Sequence, residues 1–362
     1  MRSITTRSTK TKGSGARLAA VIVLLIAAVL SLLALVAVSG CGGTDAAEPA
    51  ASPSAAAAGL PEVADITLIM DWLPWVLDIP VDVAQEKGYY TDAGLAVTQI
   101  LPAGPTDVVK FVSTGKAQFG LYYAPDVLMG VAEGAPLLSV GSLMSHAPVG
   151  LAMEPGLQAS EPKDLVGKVV AVPMIPSVRA SYESLLEAGG VKADQVTLAD
   201  PGFSLVAPLL KGTYQAVAFT EFGELVEAEA DGLDLAYMDF RDWGTPDFAF
   251  LNMITSSEFA QANPNATRAF TAATLEGLAY AVEHPEEAVD IYVARHPELK
   301  KELLLAQWKA AVPSMATAGT QPAGYQDPVA WNELNDWLVR TGLIDEAVDV
   351  DSATSNEFLA AE

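Results

Sequence analysis

Two tryptophans three positions apart, Trp72 and Trp75, follow an apolar run at 66–70, and Asp71 stands directly before them. Flat rings beside a carboxylate suit the capture of a planar, N–H-bearing heteroaromatic compound, because aromatic stacking adds roughly 0.5–1.5 kcal/mol beyond the area buried. Similar chemistry recurs downstream. Tyr122, Tyr123 and Asp126 end a third apolar run, and Glu221 and Phe222 follow a fourth at 216–219. A carboxylate at Glu221 can accept hydrogen bonds from ring N–H groups and so reject analogues that lack them. Ser177 opens a helical pattern after 172–176, where free backbone N–H groups receive phosphate, sulfonate or carboxylate, with Arg179 to assist. Each residue also has a structural reading. The tryptophans fit a core, Ser177 and Asp126 fit helix caps, and Glu221 fits a first-turn charge.

Covalent and metal chemistry have little support. The chain has one Cys and three His, too few for a thiolate cluster or an ordinary catalytic zinc site. It carries no G-x-S-x-G, Walker A, H-E-x-x-H or G-x-G-x-x-G motif. His146, between two strand patterns, remains a possible hydrogen-bond donor to a cleft. With 45 acidic against 20 basic residues, the chain would be repelled by a phosphate backbone, so nucleic acid is not an expected partner.

The elements that must position these residues alternate regularly. Strand patterns fall at 66–70, 95–101, 119–122 and 137–140, with helical patterns at 81–86, 107–114 and 126–132 between them; Thr106 is a candidate cap. The rhythm restarts with strands at 168–172, 196–199 and 216–219 and helices at 177–188, 204–210 and 221–230. Two α/β units with mostly parallel sheets follow. The segments 149–153 and 248–255 have no helical period and read as extended crossovers, and 257–343 is almost wholly helical and packs back on the first unit. Two lobes joined by two strands make a hinge, with a ligand cleft where strand carboxyl ends and helix N-termini converge.

The amino terminus adds an address. Arg2, Arg7, Lys10, Lys12 and Arg17 precede an apolar run at 18–38, and no acidic residue comes before Asp45. Val38-Ser39-Gly40-Cys41 is similar to a bacterial lipobox, and the chain's single cysteine stands where acylation needs it. The reading is a signal peptide at 1–40 and a lipidated Cys41, with an uncleaved membrane helix as the alternative. Positive-inside bias sends the rest across the membrane. The 20 basic residues less these five leave 15 against 45 acidic, a formal charge of −30. Residues 41–60, rich in Ala, Gly, Ser and Pro, form a flexible linker. Lobe 1 is assigned to 61–150 plus 251–362, and lobe 2 to 151–250.

Asp71-Trp72-Leu73-Pro74, the segment Val83-Ala84-Gln85-Glu86-Lys87-Gly88-Tyr89-Tyr90, Ser113-Thr114-Gly115-Lys116-Ala117-Gln118-Phe119-Gly120, Pro162-Lys163-Asp164-Leu165 and Tyr237-Met238-Asp239-Phe240-Arg241-Asp242 resemble the substrate-binding lipoproteins of ABC importers. Within them the sequence is similar to the branch that binds pyrimidine precursors of thiamine and is related to fungal thiamine-pyrimidine synthases, over about 66–359. The resemblance implies a periplasmic-binding-protein type II fold, a small-molecule ligand, an ABC permease as partner, a lipid-anchored monomer on the extracytoplasmic face and no cofactor. It selects Tyr123 over Tyr122 and matches Glu221 to an acidic position. The branch usually has Asn and, three positions later, His after its Asp-Trp-x-Pro motif; here Trp75 and Asp78 take those places. The synthases consume that His and carry a cysteine-rich motif, so the chain is expected to bind rather than to catalyse. Trp75 adds a stacking face and Asp78 a negative charge, which keeps flavins in view beside hydroxymethylpyrimidine or a formylaminopyrimidine, with alkyl sulfonate or nitrate as further alternatives. The expected ligand set is Asp71, Trp72, Trp75, Asp78, Tyr123, Asp126, Ser177, Glu221 and Phe222.

Overall fold

The computed structural model describes residues 59–104, 107–202, 205–317 and 319–360. The leader at 1–40, Cys41, nearly all of the linker, the Thr106 cap and Ser204 lie outside the described residues.

The chain builds two five-stranded sheets. Strands β1 (Asp65–Ile69), β2 (Ala96–Ile100), β3 (Phe119–Tyr122) and β4 (Leu137–Met144) come first, and β5 (Val149–Met153), β6 (Val169–Ala171), β7 (Thr197–Ala199), β8 (Ala216–Thr220) and β9 (Tyr237–Asp239) follow. A last strand, β10 (Leu251–Ser256), closes the set. The orders are β2-β1-β3-β10-β4 and β7-β6-β8-β5-β9. Four strands of each sheet run one way, as the alternating βα pattern requires. The fifth runs against them and is the strand that has just crossed over: β10 lies antiparallel to β3 and β4, β5 to β8 and β9. The crossover segments read from sequence are thus themselves sheet strands, each entering one lobe from the other.

Close approach fixes two junctions. A Cβ at Gly150 in β5 would stand 2.2 Å from the Met238 carbonyl oxygen, so only glycine lets β5 and β9 pair there. A Cβ at Gly277 would stand 2.2 Å from the Pro80 carbonyl oxygen, and this seats the helix Pro264–Glu283 against the helix Ile79–Glu86 of lobe 1. The core beneath is aromatic as well as aliphatic. Phe119 of β3 stacks on Phe270 with centroids 4.0 Å apart, and Tyr90 on Phe270 at 5.6 Å. Trp308, Trp331 and Trp337 are buried and Trp243 is half-buried against the core of the second sheet, whereas Trp72 and Trp75 stand where the lobes meet.

The carboxy-terminal helices pack against the helices and strands of the first sheet and also reach the second sheet's side. Trp337 donates its indole N–H to Ser184 Oγ at 3.1 Å, and Gln307 donates to the Gly223 carbonyl at 3.1 Å. This part of the chain is less uniformly helical than expected, because the stretch between Val312–Ser314 and Pro328–Arg340 contains no helix among its described residues.

Candidate functional site

A cavity of about 430 Å³ lies between the lobes, and most of its wall follows directly from strand ends. Trp72 and Trp75 come from the loop after β1, Tyr123 from the end of β3 and Pro173 to Ile175 from the end of β6. Thr220 and Glu224 come from the end of β8, Phe240 and Arg241 from the end of β9. The two crossovers add Ala147, Val149, Phe248 and Phe250. Side chains at the carboxyl ends of parallel strands are fixed by the sheet yet free of its hydrogen-bond ladder, which is why α/β folds place ligands there.

The rings form a belt. Trp75 lies 5.6 Å from Phe222 at 44°, Phe222 meets Phe250 edge-on at 6.3 Å, and Phe250 lies 5.0 Å from Tyr123 at 45°. Asp71 holds both ends from behind. Its Oδ2 accepts from the Tyr123 hydroxyl at 2.7 Å and its Oδ1 from the Trp75 indole N–H at 3.4 Å. Burial pushes the Asp71 carboxyl up to about 6, and those two donors hold it down from a larger rise. Burial and the Asp71 charge keep the Tyr123 hydroxyl protonated, so it remains a donor.

Of the residues expected to contact a ligand, Trp72, Trp75, Tyr123 and Ser177 line this cavity. The others stand elsewhere. Asp71 is behind the wall. Asp78 is buried beneath it, accepting from the Trp75 backbone N–H at 3.3 Å and the Tyr292 hydroxyl at 3.2 Å; burial and the Asp71 charge lift its carboxyl well above the usual range. Asp78 thus stands beneath the cavity wall and off its lining. Asp126 also lies off the cavity wall, with Oδ2 buried and without a hydrogen-bond partner, and burial raises it to about 7. Phe222 is buried under Trp75 as a prop.

Glu221 is the clearest correction. Its side chain is 41% exposed and faces Arg241 at 3.8 Å, outside the cavity, while Glu224 lines it. The cause is local. The chain leaves β8 in a wide five-residue turn, Glu221–Leu225, rather than an α-helical one, and Glu224 reaches back to accept from the Thr220 N–H at 2.9 Å and hydroxyl at 2.7 Å. Arg179 pairs with Glu183 on its own helix and does not line the cavity. His146 pairs with Asp247, joining one crossover to the other.

Arg241, Glu224, Thr245, Phe248 and Phe250 escaped the sequence reading. Arg241 sits in a run quoted for its resemblance, and Phe248 and Phe250 alternate along a segment read as extended, so their common face was a usable signal. The guanidinium of Arg241 is held by both Asp239 oxygens, with Nε at 3.0 and 2.9 Å.

The chain resembles proteins of known structure and role. A formylaminopyrimidine-binding protein of Halalkalibacterium halodurans is 28% identical over 293 residues, 78% of this chain and 88% of that one. The riboflavin-binding protein RibY of Chloroflexus aurantiacus is 26% identical, covering 94% and 96% of the two chains. Among solved structures, the periplasmic aliphatic sulphonate binding protein SsuA of Escherichia coli superposes with a TM-score of 0.65 at 14% identity, over 80% of this chain and 97% of that one. The fold is accordingly the periplasmic-binding-protein type II fold, two α/β lobes joined by two strands around a cleft. The profile described as NMT1/THI5 like matches residues 78–288, more than half of the sequence, and the chain belongs to that family.

Proposed function

We propose that the protein is an extracytoplasmic solute-binding protein that captures a flat heteroaromatic compound and delivers it unaltered to an ABC permease. The aromatic-walled cavity between the lobes carries this reading. Trp72, Trp75, Tyr123 and Phe250 offer ring faces, and Glu224 and Thr220 offer a polar edge. The solute shifts the lobes toward closure by contacts to both. Cys41, acylated, tethers a monomer to the membrane, and the linker gives it reach toward the permease. A binding role accords with the formylaminopyrimidine-binding and riboflavin-binding relatives. Synthases of 4-amino-5-hydroxymethyl-2-methylpyrimidine phosphate are also similar, at 24–25% identity. The histidine the resemblance calls for is replaced here by Asp78, which is buried beneath the wall.

A thiamine pyrimidine precursor is the first ligand class, and Trp75, an additional ring face on the cavity wall, favours a flavin as the second. A thermal-shift series with pyrimidines, thiamine, riboflavin, sulfonates and nitrate tests the reading. A true ligand at 100 times its Kd adds about 2.7 kcal/mol of stability. Trp75→Ala should abolish that shift, and the recovered ligand should have unchanged mass. A shift with nitrate alone, or turnover of pyridoxal phosphate with iron, would sink the proposal.

A further inference from the structure

Resting on the reading of the cavity as a solute site, we propose that Thr245 and the Ser177–Ser181 face form a hydroxyl-lined subsite for a neutral polar arm of the solute, one bearing hydroxyl or carbonyl groups. The polar groups of the cavity wall are otherwise largely engaged within the protein. The Tyr123 hydroxyl and Trp75 indole N–H donate to Asp71, Glu224 accepts from Thr220, and Arg241 is chelated by Asp239. Thr245 differs. It lines the cavity and is only 6% exposed, and its Oγ1 is buried with no hydrogen-bond partner. A folded chain that buries a hydroxyl without a partner bears its desolvation cost until something supplies the bond.

The backbone holds this hydroxyl in place. Gly244 takes the left-handed conformation at φ 96° after the turn Phe240–Trp243, its carbonyl accepts from Arg340 Nη2 at 3.2 Å, and the Thr245 N–H donates to the Phe240 carbonyl at 3.3 Å. The same turn packs against the helix Pro176–Ala188, which brings Ser177 and Ser181 to the cavity from one helix face. Ser181 Oγ donates to the Ser177 carbonyl at 3.1 Å, so its lone pairs are left to accept. Asp239, Glu221 and Asp247 surround the Arg241 guanidinium, an arrangement that disfavours an anionic arm and favours a neutral one.

Matched probes test the subsite by titration calorimetry on the full-length protein: riboflavin against lumichrome, which shares its ring system without the polyol chain, and 4-amino-5-hydroxymethyl-2-methylpyrimidine against its 5-methyl counterpart. The wild type should bind the hydroxyl-bearing member of a pair more tightly. Thr245→Val should weaken that member about three- to tenfold and leave the other unchanged, and Thr245→Ser should restore it. Equal weakening of both members, or of neither, overturns the subsite while the cavity keeps its role. Failure of the wild type to bind either pair overturns the cavity reading and the subsite with it.

Discussion

Asp71 acts on a ligand through other residues. Its two oxygens fix the Trp75 indole and the Tyr123 ring, which come from different strands, so a single carboxylate sets the spacing between two parts of the aromatic wall. In Asp71→Ala both donors lose their acceptor and both rings gain freedom. A hydrogen bond to a charged group is worth about 1.5–3 kcal/mol, so solute affinity should fall about ten- to a hundredfold. Asp71→Asn keeps an acceptor for the indole and a polar partner for the phenol, and should retain most of the affinity. Titration calorimetry on the two variants separates these outcomes, and wild-type affinity in Asp71→Ala would show that the rings do not depend on this clamp. The sequence made Asp71 conspicuous for the wrong reason. An acid beside two tryptophans reads as a ligand contact, and only its bonds to the Tyr123 hydroxyl and the Trp75 indole mark it as a support.

Among the elements, the pairing of Pro264–Glu283 with Ile79–Glu86 bears most directly on the site, because the loop carrying Trp75 leads into the second of these helices. Gly277→Ala would press a methyl group against the Pro80 carbonyl and the Ala84 side chain. Overpacking of this kind costs about 1–3 kcal/mol, so the urea midpoint should drop with the slope unchanged, and the ligand-induced thermal shift should shrink. An unaltered midpoint would mean that the helices separate without penalty. Elements of this kind were largely legible in the sequence. Short apolar runs point to β1, β3 and β8 nearly to the residue, since a strand buried on both faces needs little beyond such a run. Strand β9 was not legible. It is three residues long and bounded by Asp239, and it exists because β5 offers it an edge. The wide turn at Glu221–Leu225 was hidden too, because an acid at position 221 or at 224 fits the same helical pattern, and only the bond from Thr220 to Glu224 chooses between them. Thr245 had no local signal, because its importance lies in a partner that its own neighbours do not supply.

On the scale of the whole molecule, buried carboxyls and surface charge act on stability in the same direction. Burial raises Asp71 to about 6 and Asp126 to about 7, and lifts Asp78 as well. From about pH 4 to 7 the folded chain therefore holds protons that the unfolded chain releases. Stability changes with pH according to the protons bound by the unfolded state minus those bound by the folded state, a negative difference here, so stability falls as pH rises through this window and levels off above it. The acidic excess of the chain adds self-repulsion as further carboxyls ionise. Glu62, Asp164 and Glu287, each held below the usual carboxylate range by hydrogen bonds, act oppositely at the acid end, where their stabilisation is lost. The stability maximum should therefore lie on the acid side of neutrality. Urea unfolding at pH 5 and pH 8 should give the larger free energy at pH 5. Asp126→Asn removes one raised carboxyl and should recover about 4 kcal/mol at pH 8 and less than half of that at pH 5. A profile that is flat or rises between these two values would mean that the buried acids ionise as freely in the folded chain as in the unfolded one, and that the ring-clamping carboxylate sits in a wetter wall than its hydrogen bonds describe.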